Sequence, residues 1–303
     1  MRKLLITGQS GFVGQHVQAH VLAGLAGDWQ LLPQRPHDLL QPASLLEWLQ
    51  ADCPDAVVHL AGQTFVPEAF RNPQHTLQVN LLGTLNLLQA LKQRGFAGTF
   101  LYVSSGDVYG QVPVEQLPIY ETHIPHPRNP YAVSKLAAET LCLQWAFCEP
   151  EWRIMVARPF NHVGPGQAAS FVLPGMAQQL QRIRRGLQPA QLQVGDVDVT
   201  RDFLDVRDVV NAYFCLLERG RSGEVYNVCS GVERSVRELI EQMAELTGVT
   251  VQLQEDTTRL RRAEQRRVCG GARKIQQETG WQPALAMTTT LHDVLRDWEE
   301  RDL

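Results

Sequence analysis

Tyr131 and Lys135 close the two ends of the run Tyr-Ala-Val-Ser-Lys, one helical turn apart. On a helix the two share a face, where an ammonium beside a phenol favours the phenolate and draws its pKa down from about 10. Such a tyrosine can act as acid or base toward a substrate oxygen. Asn129 and Pro130 make a sound helix start, as N-cap and first-turn proline. A Tyr and a Lys at this spacing also occur on ordinary amphipathic helices, so the pair takes its meaning from its company. That company is the run Leu-Leu-Ile-Thr-Gly-Gln-Ser-Gly-Phe-Val-Gly, in which Gly8, Gly11 and Gly14 stand between a short apolar strand, Lys3 to Thr7, and a helical pattern from Phe12 to Leu25. The first glycine allows a tight turn, the next lets backbone approach a pyrophosphate, and the third permits close helix packing, with the helix N-terminus meeting the phosphates. A third reacting group should be a hydroxyl at a strand end, and Val-Ser-Ser-Gly-Asp-Val-Tyr-Gly supplies two, Ser104 and Ser105. Together these residues point to hydride chemistry at a sugar or alcohol carbon.

The elements that must position them alternate along the chain. Strand candidates are Ala56 to Leu60, Phe100 to Ser104, Arg153 to Ala157 and Glu224 to Cys229, with helical patterns beginning near Leu45, Asn80, Tyr131 and Asp208. The alternation predicts an α/β fold, a Rossmann-type doubly wound parallel sheet with helices on both faces. After Asn161 the pattern changes to a Gly/Pro loop (Gly164-Pro165-Gly166), a helix to about Arg185, then short strands and helices. The expected organisation is a dinucleotide-binding domain over 1–161, to which the chain returns at about 201–230, and over 162–303 mainly a smaller C-terminal α/β substrate-binding lobe. No internal repeat is present. The stretch from Pro113 to Pro130 reads as an ordered active-site loop, since Tyr131 follows it directly.

Composition excludes several classes. The chain has 303 residues, 44% hydrophobic and 20% charged, with a net charge of -4. That suits a soluble enzyme and argues against a general nucleic-acid binder. The apolar start is too short for a signal peptide, no stretch approaches the roughly 18 apolar residues of a membrane span, and a cytoplasmic location is expected. Cys53, Cys142, Cys148, Cys215, Cys229 and Cys269 form no CxxC pair and no metal-ligand spacing with histidine, so buried free thiols are expected and no metal is implied. For the cofactor, a reader of the ribose 2′-hydroxyl would be an acid about 20 residues past the glycines. The sequence there is Leu31-Leu32-Pro33-Gln34-Arg35, with no acid before Asp38. Arg35 suits a 2′-phosphate, which favours NADPH and leaves NADH open; Arg35 also reads as a plain surface residue.

Eight strings occur in an order that resembles the extended short-chain dehydrogenase/reductase family, in its nucleotide-sugar epimerase, dehydratase and reductase branch: TGQSGFVG, HLAGQ, NLLGT, SSGDVYG, YAVSK, RPFNHVGPGQ, RDFLDVRDV and RRAEQRR. The resemblance implies that Ser105 is the catalytic hydroxyl and Ser104 structural, with Tyr131 moving the proton and Lys135 also holding the nicotinamide ribose. It implies cofactor contacts from Gly8, Ser10, Gly11, Phe12, Val13 and Gly14, from Asp38 and Leu39 at the adenine, and from Leu60, Ala61 and Gln63 at the end of the fourth strand. Asn80 would support the active-site helix. Ser105, Gly106, Asp107, Asn161, Arg201, Arg262 and Glu264 would meet the nucleotide sugar, the arginines at its pyrophosphate. Arg259, Arg261, Arg266 and Arg267 read instead as a solvated charged face. The expected activity is NAD(P)H-dependent reduction of the C4 keto group of GDP-4-dehydro-6-deoxy-D-mannose to GDP-D-rhamnose. A GDP-mannose 4,6-dehydratase, a 4-epimerase and an NAD(P)-sensing binding protein are the alternatives. Related dehydratases place a Glu where this chain has Asp107, and follow Arg-Asp-Trp with Gly-His where it has Leu204-Asp205 after Arg201-Asp202-Phe203, which points away from elimination. Relatives pair through the Tyr-Lys helix and the helix near Asn80, so a homodimer is expected, with Leu81, Leu85, Leu88, Leu141, Leu143 and Trp145 as candidate contacts.

Overall fold

The computed structural model describes residues 1–49, 53–256 and 265–301. The first half of the chain forms β1 (Arg2–Thr7), α1 (Phe12–Leu22), β2 (Trp29–Leu31), α2 (Pro42–Trp48), β3 (Ala56–His59), α3 (Val66–Arg71), α4 (Pro73–Leu77), α5 (Gly83–Gln93), β4 (Thr99–Val103), α6 (Pro130–Cys148) and β5 (Arg153–Pro159). The second half forms β6 (Asn161–Val163), α7 (Val172–Arg184), β7 (Gln191–Val194), β8 (Thr200–Asp205), α8 (Val206–Arg219), β9 (Val225–Val228), β10 (Glu233–Ser235), α9 (Val236–Thr247), β11 (Gln252–Glu255), α10 (Arg273–Thr279) and α11 (Met287–Glu300).

Six strands make one parallel sheet in the order β2-β1-β3-β4-β5-β9. The central strands are buried on both faces, in keeping with their apolar stretches Leu4-Leu5-Ile6, Ala56-Val57-Val58 and Phe100-Leu101-Tyr102-Val103. Val17, Val209, Leu216 and Ile275 from α1, α8 and α10 cover one face, and Leu45, Leu87, Leu91 and Ala138 from α2, α5 and α6 cover the other. The chain leaves β1 to one side for β2 and crosses back over it to β3, so the strand order reverses between β1 and β3. In such sheets the crevice beyond the carboxyl ends at the reversal is where ligands sit. Its rim is the Thr7↔His59 pairing.

A separate core joins α7, α9 and α11 to two small sheets, β10-β8-β6 and β11-β7, with Leu173, Met176, Leu180, Phe203, Ile240, Leu291 and Trp298 inside it. The loop between Tyr109 and α6 is anchored: the Ile119 N–H donates to the Cys269 carbonyl (2.8 Å) and the Gly271 N–H to the Ile119 carbonyl (2.8 Å).

Four expectations change. The first helix stops at Leu22, short of Leu25, because Gly24 adopts φ +73° and ends it. The strand carrying Leu60 and Ala61 at its end is third in chain order, not fourth. The thiols are free, but Cys53 and Cys148 are exposed; only Cys142 and Cys229 are buried. Leu88 is fully buried against its own sheet, which removes it from any face offered to a second copy.

Candidate active site

The glycine turn is built as its spacing predicts. Gly8 adopts φ +73°, and a Cβ there would lie 2.8 Å from the Ala61 nitrogen. At Gly14 a Cβ would lie 2.3 Å from the Gly8 carbonyl oxygen, so α1 sits closer to the turn than any side chain allows. Gly11 starts α1 with no side-chain cap, and its N–H donates back to the Gly8 carbonyl (3.0 Å). Ser10 is exposed, Val13 packs toward the core, and Phe12 lies half-buried, its ring stacked on His162 (6.1 Å between centroids). A bare turn and an uncapped helix start beyond the strand reversal suit a dinucleotide's pyrophosphate on geometry alone. Farther along, Arg35 is exposed, Asp38 accepts the Leu40 N–H (2.8 Å), and Leu39 is buried against Gly83.

Ser105, Tyr131 and Lys135 meet past the ends of β4 and β5. Asn129 caps α6 by accepting the Ala132 N–H (2.7 Å), with Pro130 in the first turn. The Ser105 hydroxyl lies beside the Tyr131 phenol. Ser105 also accepts the Asp107 N–H (3.2 Å), which begins a 3₁₀ turn over Gly106–Tyr109. Ser104 is buried.

The electrostatics differ from the expectation for the Tyr-Lys pair. Burial, and after it the negative Asp107, push the Tyr131 phenol well above its usual range, while the Ser105 hydroxyl opposes them. Lys135 does not lower it in this structure: its ammonium donates to the Val103 carbonyl (2.8 Å) and lies 5.1 Å from the centre of the Tyr102 ring. Burial brings that ammonium down to about 8. At neutral pH Tyr131 therefore holds its proton, which is the form needed to donate one.

Asn80 occupies a feature the periodicity does not signal, a π-helical turn over Gln78–Leu82 between α4 and α5. Its side chain accepts the Gln63 N–H (2.8 Å) and donates to the Gln63 carbonyl (2.9 Å) and the Ser134 hydroxyl (2.8 Å), clamping the Ala61–Gln63 segment to α6. Gly62 makes room for this: a Cβ there would lie 2.8 Å from Asn80 Oδ1 and 3.7 Å from Lys135 Nζ. Beneath it runs a buried relay. The Ala61 N–H donates to Thr7 Oγ1 (3.1 Å), which lies 2.6 Å from His59 Nδ1; His59 Nε2 lies 2.9 Å from Thr84 Oγ1, which donates to the Asn80 carbonyl (2.6 Å). The bonds are all satisfied when His59 is neutral with its proton on Nε2.

Burial lowers His59 to about 3, against 6.5 for an exposed histidine. Above 6.5 both folded and unfolded chains leave it neutral and the contribution is complete. As pH falls from 6.5 toward 3 the unfolded chain takes up a proton that the folded chain refuses, so stability is lost across that window. His16 and His162, lowered by burial, act in the same sense. We expect His59 alone to cost about 2 kcal/mol by about pH 5, a fall of a few degrees in Tm. Calorimetry checks this, and a His59→Gln variant should show a shallower acid slope.

On the substrate side, Gly106 rests on Phe160: a Cβ there would lie 3.1 Å from the ring. Asp107 is exposed, and Asn161, next to Phe160, is exposed at the start of β6. β6 pairs with β8 through Asn161↔Phe203, which sets Arg201 two residues away on β8, where its guanidinium donates to the Thr200 carbonyl (2.7 Å). Asp202, to which the sequence reading gave no part, is buried and accepts from the Ser230 N–H and hydroxyl, the Gly231 N–H and the Gly270 N–H (2.6–3.0 Å), gathering two loops onto β8. Arg266 pairs with Asp196 and Arg267 with Glu233, both at the surface. Arg259, Arg261, Arg262 and Glu264 lie outside the described residues. Among the described residues no cluster of three or more His, Cys, Asp or Glu is placed to hold a metal ion.

A family model described as GDP-mannose 4,6 dehydratase matches residues 32–294. The GDP-6-deoxy-D-mannose reductase of Pseudomonas aeruginosa is 60% identical over 302 residues, covering 99% of this chain and 98% of that protein. The GDP-6-deoxy-D-talose 4-dehydrogenase of Aggregatibacter actinomycetemcomitans is 28% identical, covering 92% of this chain and 91% of that one. A solved structure of RMD from Pseudomonas aeruginosa complexed with NADPH superposes with a TM-score of 0.95 at 58% identity, covering all of both chains. A glycine turn at the strand reversal, a Ser-Tyr-Lys set beside it and a family match across most of the sequence lead to one conclusion: the chain belongs to the extended short-chain dehydrogenase/reductases, in the GDP-mannose 4,6 dehydratase family.

Proposed function

We propose that this protein is an NADPH-dependent 4-keto reductase that converts GDP-4-dehydro-6-deoxy-D-mannose to GDP-D-rhamnose. The observation that carries the reading is the buried, protonated Tyr131 phenol with the Ser105 hydroxyl beside it. Its reductase relative, matched from end to end, supports the substrate, and the NADPH complex of a like structure supports the cofactor.

The reduced nicotinamide, when bound, supplies hydride to C4 of the keto sugar. Tyr131 gives its proton to the C4 oxygen, and Ser105 donates a hydrogen bond to the same oxygen as charge develops on it. Lys135, charged at neutral pH, holds the nicotinamide ribose, and Asn80 keeps the Ala61–Gln63 wall against α6. Gly8, Ser10, Gly11, Phe12, Val13 and Gly14 hold the pyrophosphate, Leu60 to Gln63 line the crevice, Asp38 and Leu39 meet the adenine, and Arg35 the 2′-phosphate. Gly106, Asn161 and Arg201 meet the sugar and its diphosphate, with the lobe of α7, α9 and α11 as the substrate-binding part. Burial of the phenol excludes water from the oxygen being protonated.

Asp107 is placed to tune Tyr131, since its charge disfavours the phenolate. Asp107→Asn should lower the phenol's pKa, so activity should fall off at a lower pH on the alkaline side, with turnover at neutral pH changed by less than about tenfold. A pH profile of kcat/KM that matches the wild type would remove Asp107 from this part.

We also assign the protein to the cytoplasm, which its free thiols support, and infer a homodimer through α5, the turn that leads into it and α6, where Leu82, Val133 and Phe147 are exposed. The function is tested by incubating the protein with NADPH and the GDP-linked keto sugar, and separately with GDP-mannose alone. One NADPH consumed per sugar and no reaction of GDP-mannose is the expected result. Conversion of GDP-mannose without reductant would identify a dehydratase instead, and oxidised cofactor retained through purification an epimerase.

A further inference from the structure

Glu139 lies four residues beyond Lys135 and eight beyond Tyr131, so α6 presents all three on one face. Its carboxylate and the guanidinium of Arg158 on β5 are both buried, with side chains 3% and 5% exposed. They meet through two parallel bonds, Arg158 Nε to Glu139 Oε2 at 3.1 Å and Nη2 to Oε1. The same guanidinium lies 4.7 Å from the centre of the Tyr109 ring. Tyr109 ends the short turn that starts one residue after Ser105. Its phenol donates to Asn227 Oδ1 on β9 (2.7 Å). Asn227 in turn donates through Nδ2 to the Ile119 carbonyl (2.9 Å) and through its N–H to Glu121 (2.8 Å). One line of polar contacts therefore runs from the Tyr131 helix, across β5, to the turn that carries Ser105, and on to the anchored loop.

Taking two charges out of water is costly, and an apolar pair of similar volume is often as stable or more so. The pair therefore has a use other than stability, and its two ends name that use. One end is fixed to the helix of Tyr131 and Lys135, the other to the turn of Ser105 and Asp107. We propose that the Glu139–Arg158 pair is a positioning device that sets the Ser105 turn against α6 and so fixes where the Ser105 hydroxyl stands relative to the Tyr131 phenol. A planar fork suits this because it fixes direction as well as distance, which an ammonium does not. The inference rests on the reading of Ser105 and Tyr131 as the proton-handling pair.

The test compares the wild type with Arg158→Lys and with the apolar double variant Glu139→Leu/Arg158→Met. The double variant should keep its Tm and bind NADPH within roughly twofold of the wild type, while kcat falls about 100-fold with little change in KM. Arg158→Lys should show the same loss confined to kcat, smaller in size. A double variant with wild-type kcat, or an Arg158→Lys variant that loses only Tm, overturns the proposal. A crystal structure of the double variant separates this from failure of the underlying reading. If the wild type does not reduce the keto sugar but the Ser105 turn of the double variant has moved relative to Tyr131, the reductase assignment falls and the positioning device stands. An unmoved turn overturns the device whatever the activity.

Discussion

Tyr131→Phe should lower kcat by about 10³-fold, the usual size of a lost proton donor, while NADPH binds as before. The change removes one hydroxyl and keeps the ring, so the buried packing of α6 survives and Tm should not fall. Ser105 keeps the Asp107 N–H, which holds it at the head of its turn. Fluorescence titration of NADPH and steady-state kinetics check both halves together. A Phe variant with more than a tenth of wild-type turnover would show that another group, or solvent, protonates the C4 oxygen. Weakened NADPH binding in equal measure would make Tyr131 a cofactor ligand first and an acid second. The contrast is sharp because burial holds the phenol protonated and so ready to donate.

Gly14→Ala should be nearly as damaging, through binding instead of chemistry. The added methyl would lie 2.3 Å from the Gly8 carbonyl oxygen and 2.7 Å from Gln9 backbone atoms. Backbone cannot rotate aside as a side chain does, so α1 must withdraw from the turn. We expect a loss of about 1–3 kcal/mol in stability, the range for overpacking, together with a rise in the NADPH Kd of about 100-fold, or roughly 2.7 kcal/mol. Gly24→Ala is the control. Gly24 has φ +73° but open space around it, so that variant should lose about 1 kcal/mol of stability and leave NADPH affinity alone. Equal effects of both on NADPH would mean that the close approach of α1 to the turn has no part in holding the cofactor.

How much of this was legible in the sequence depended on distance along the chain. The glycine turn, the Asn129 cap and the Tyr-Lys face are local: each is set by residues within a turn or two, where steric rules and hydrogen-bond geometry act directly. The sheet was legible because buried parallel strands are mostly apolar, as Ala56-Val57-Val58 and Phe100-Leu101-Tyr102-Val103 are. The end of α1 was missed because the apolar pattern runs on to Leu25 while Gly24 ends the helix. The π-helical turn at Asn80 adds a residue to a helix without breaking its hydrophobic pattern, so periodicity passes over it. The charge state of Tyr131 was also misread from spacing, since four residues fix a shared face but not where a lysine's four-carbon chain ends; here it ends at the Val103 carbonyl. The supporting networks were not legible at all. His59 and Thr84 are 25 residues apart, Arg158 and Glu139 19, and Tyr109 and Asn227 118. No period or motif connects such residues; only the fold brings them together.

The central claim is that one hydride passes from NADPH to C4 while Tyr131 protonates the oxygen. Its most direct test uses NADPH deuterated at the transferring carbon, with GDP-4-dehydro-6-deoxy-D-mannose, and locates the label in the product by NMR. The account predicts deuterium at C4 of GDP-D-rhamnose, one label per NADPH consumed. Deuterium absent from the sugar, or a sugar altered with NADPH untouched, would contradict it, and a labelled talose product would keep the hydride transfer but reverse the face on which the ring is held.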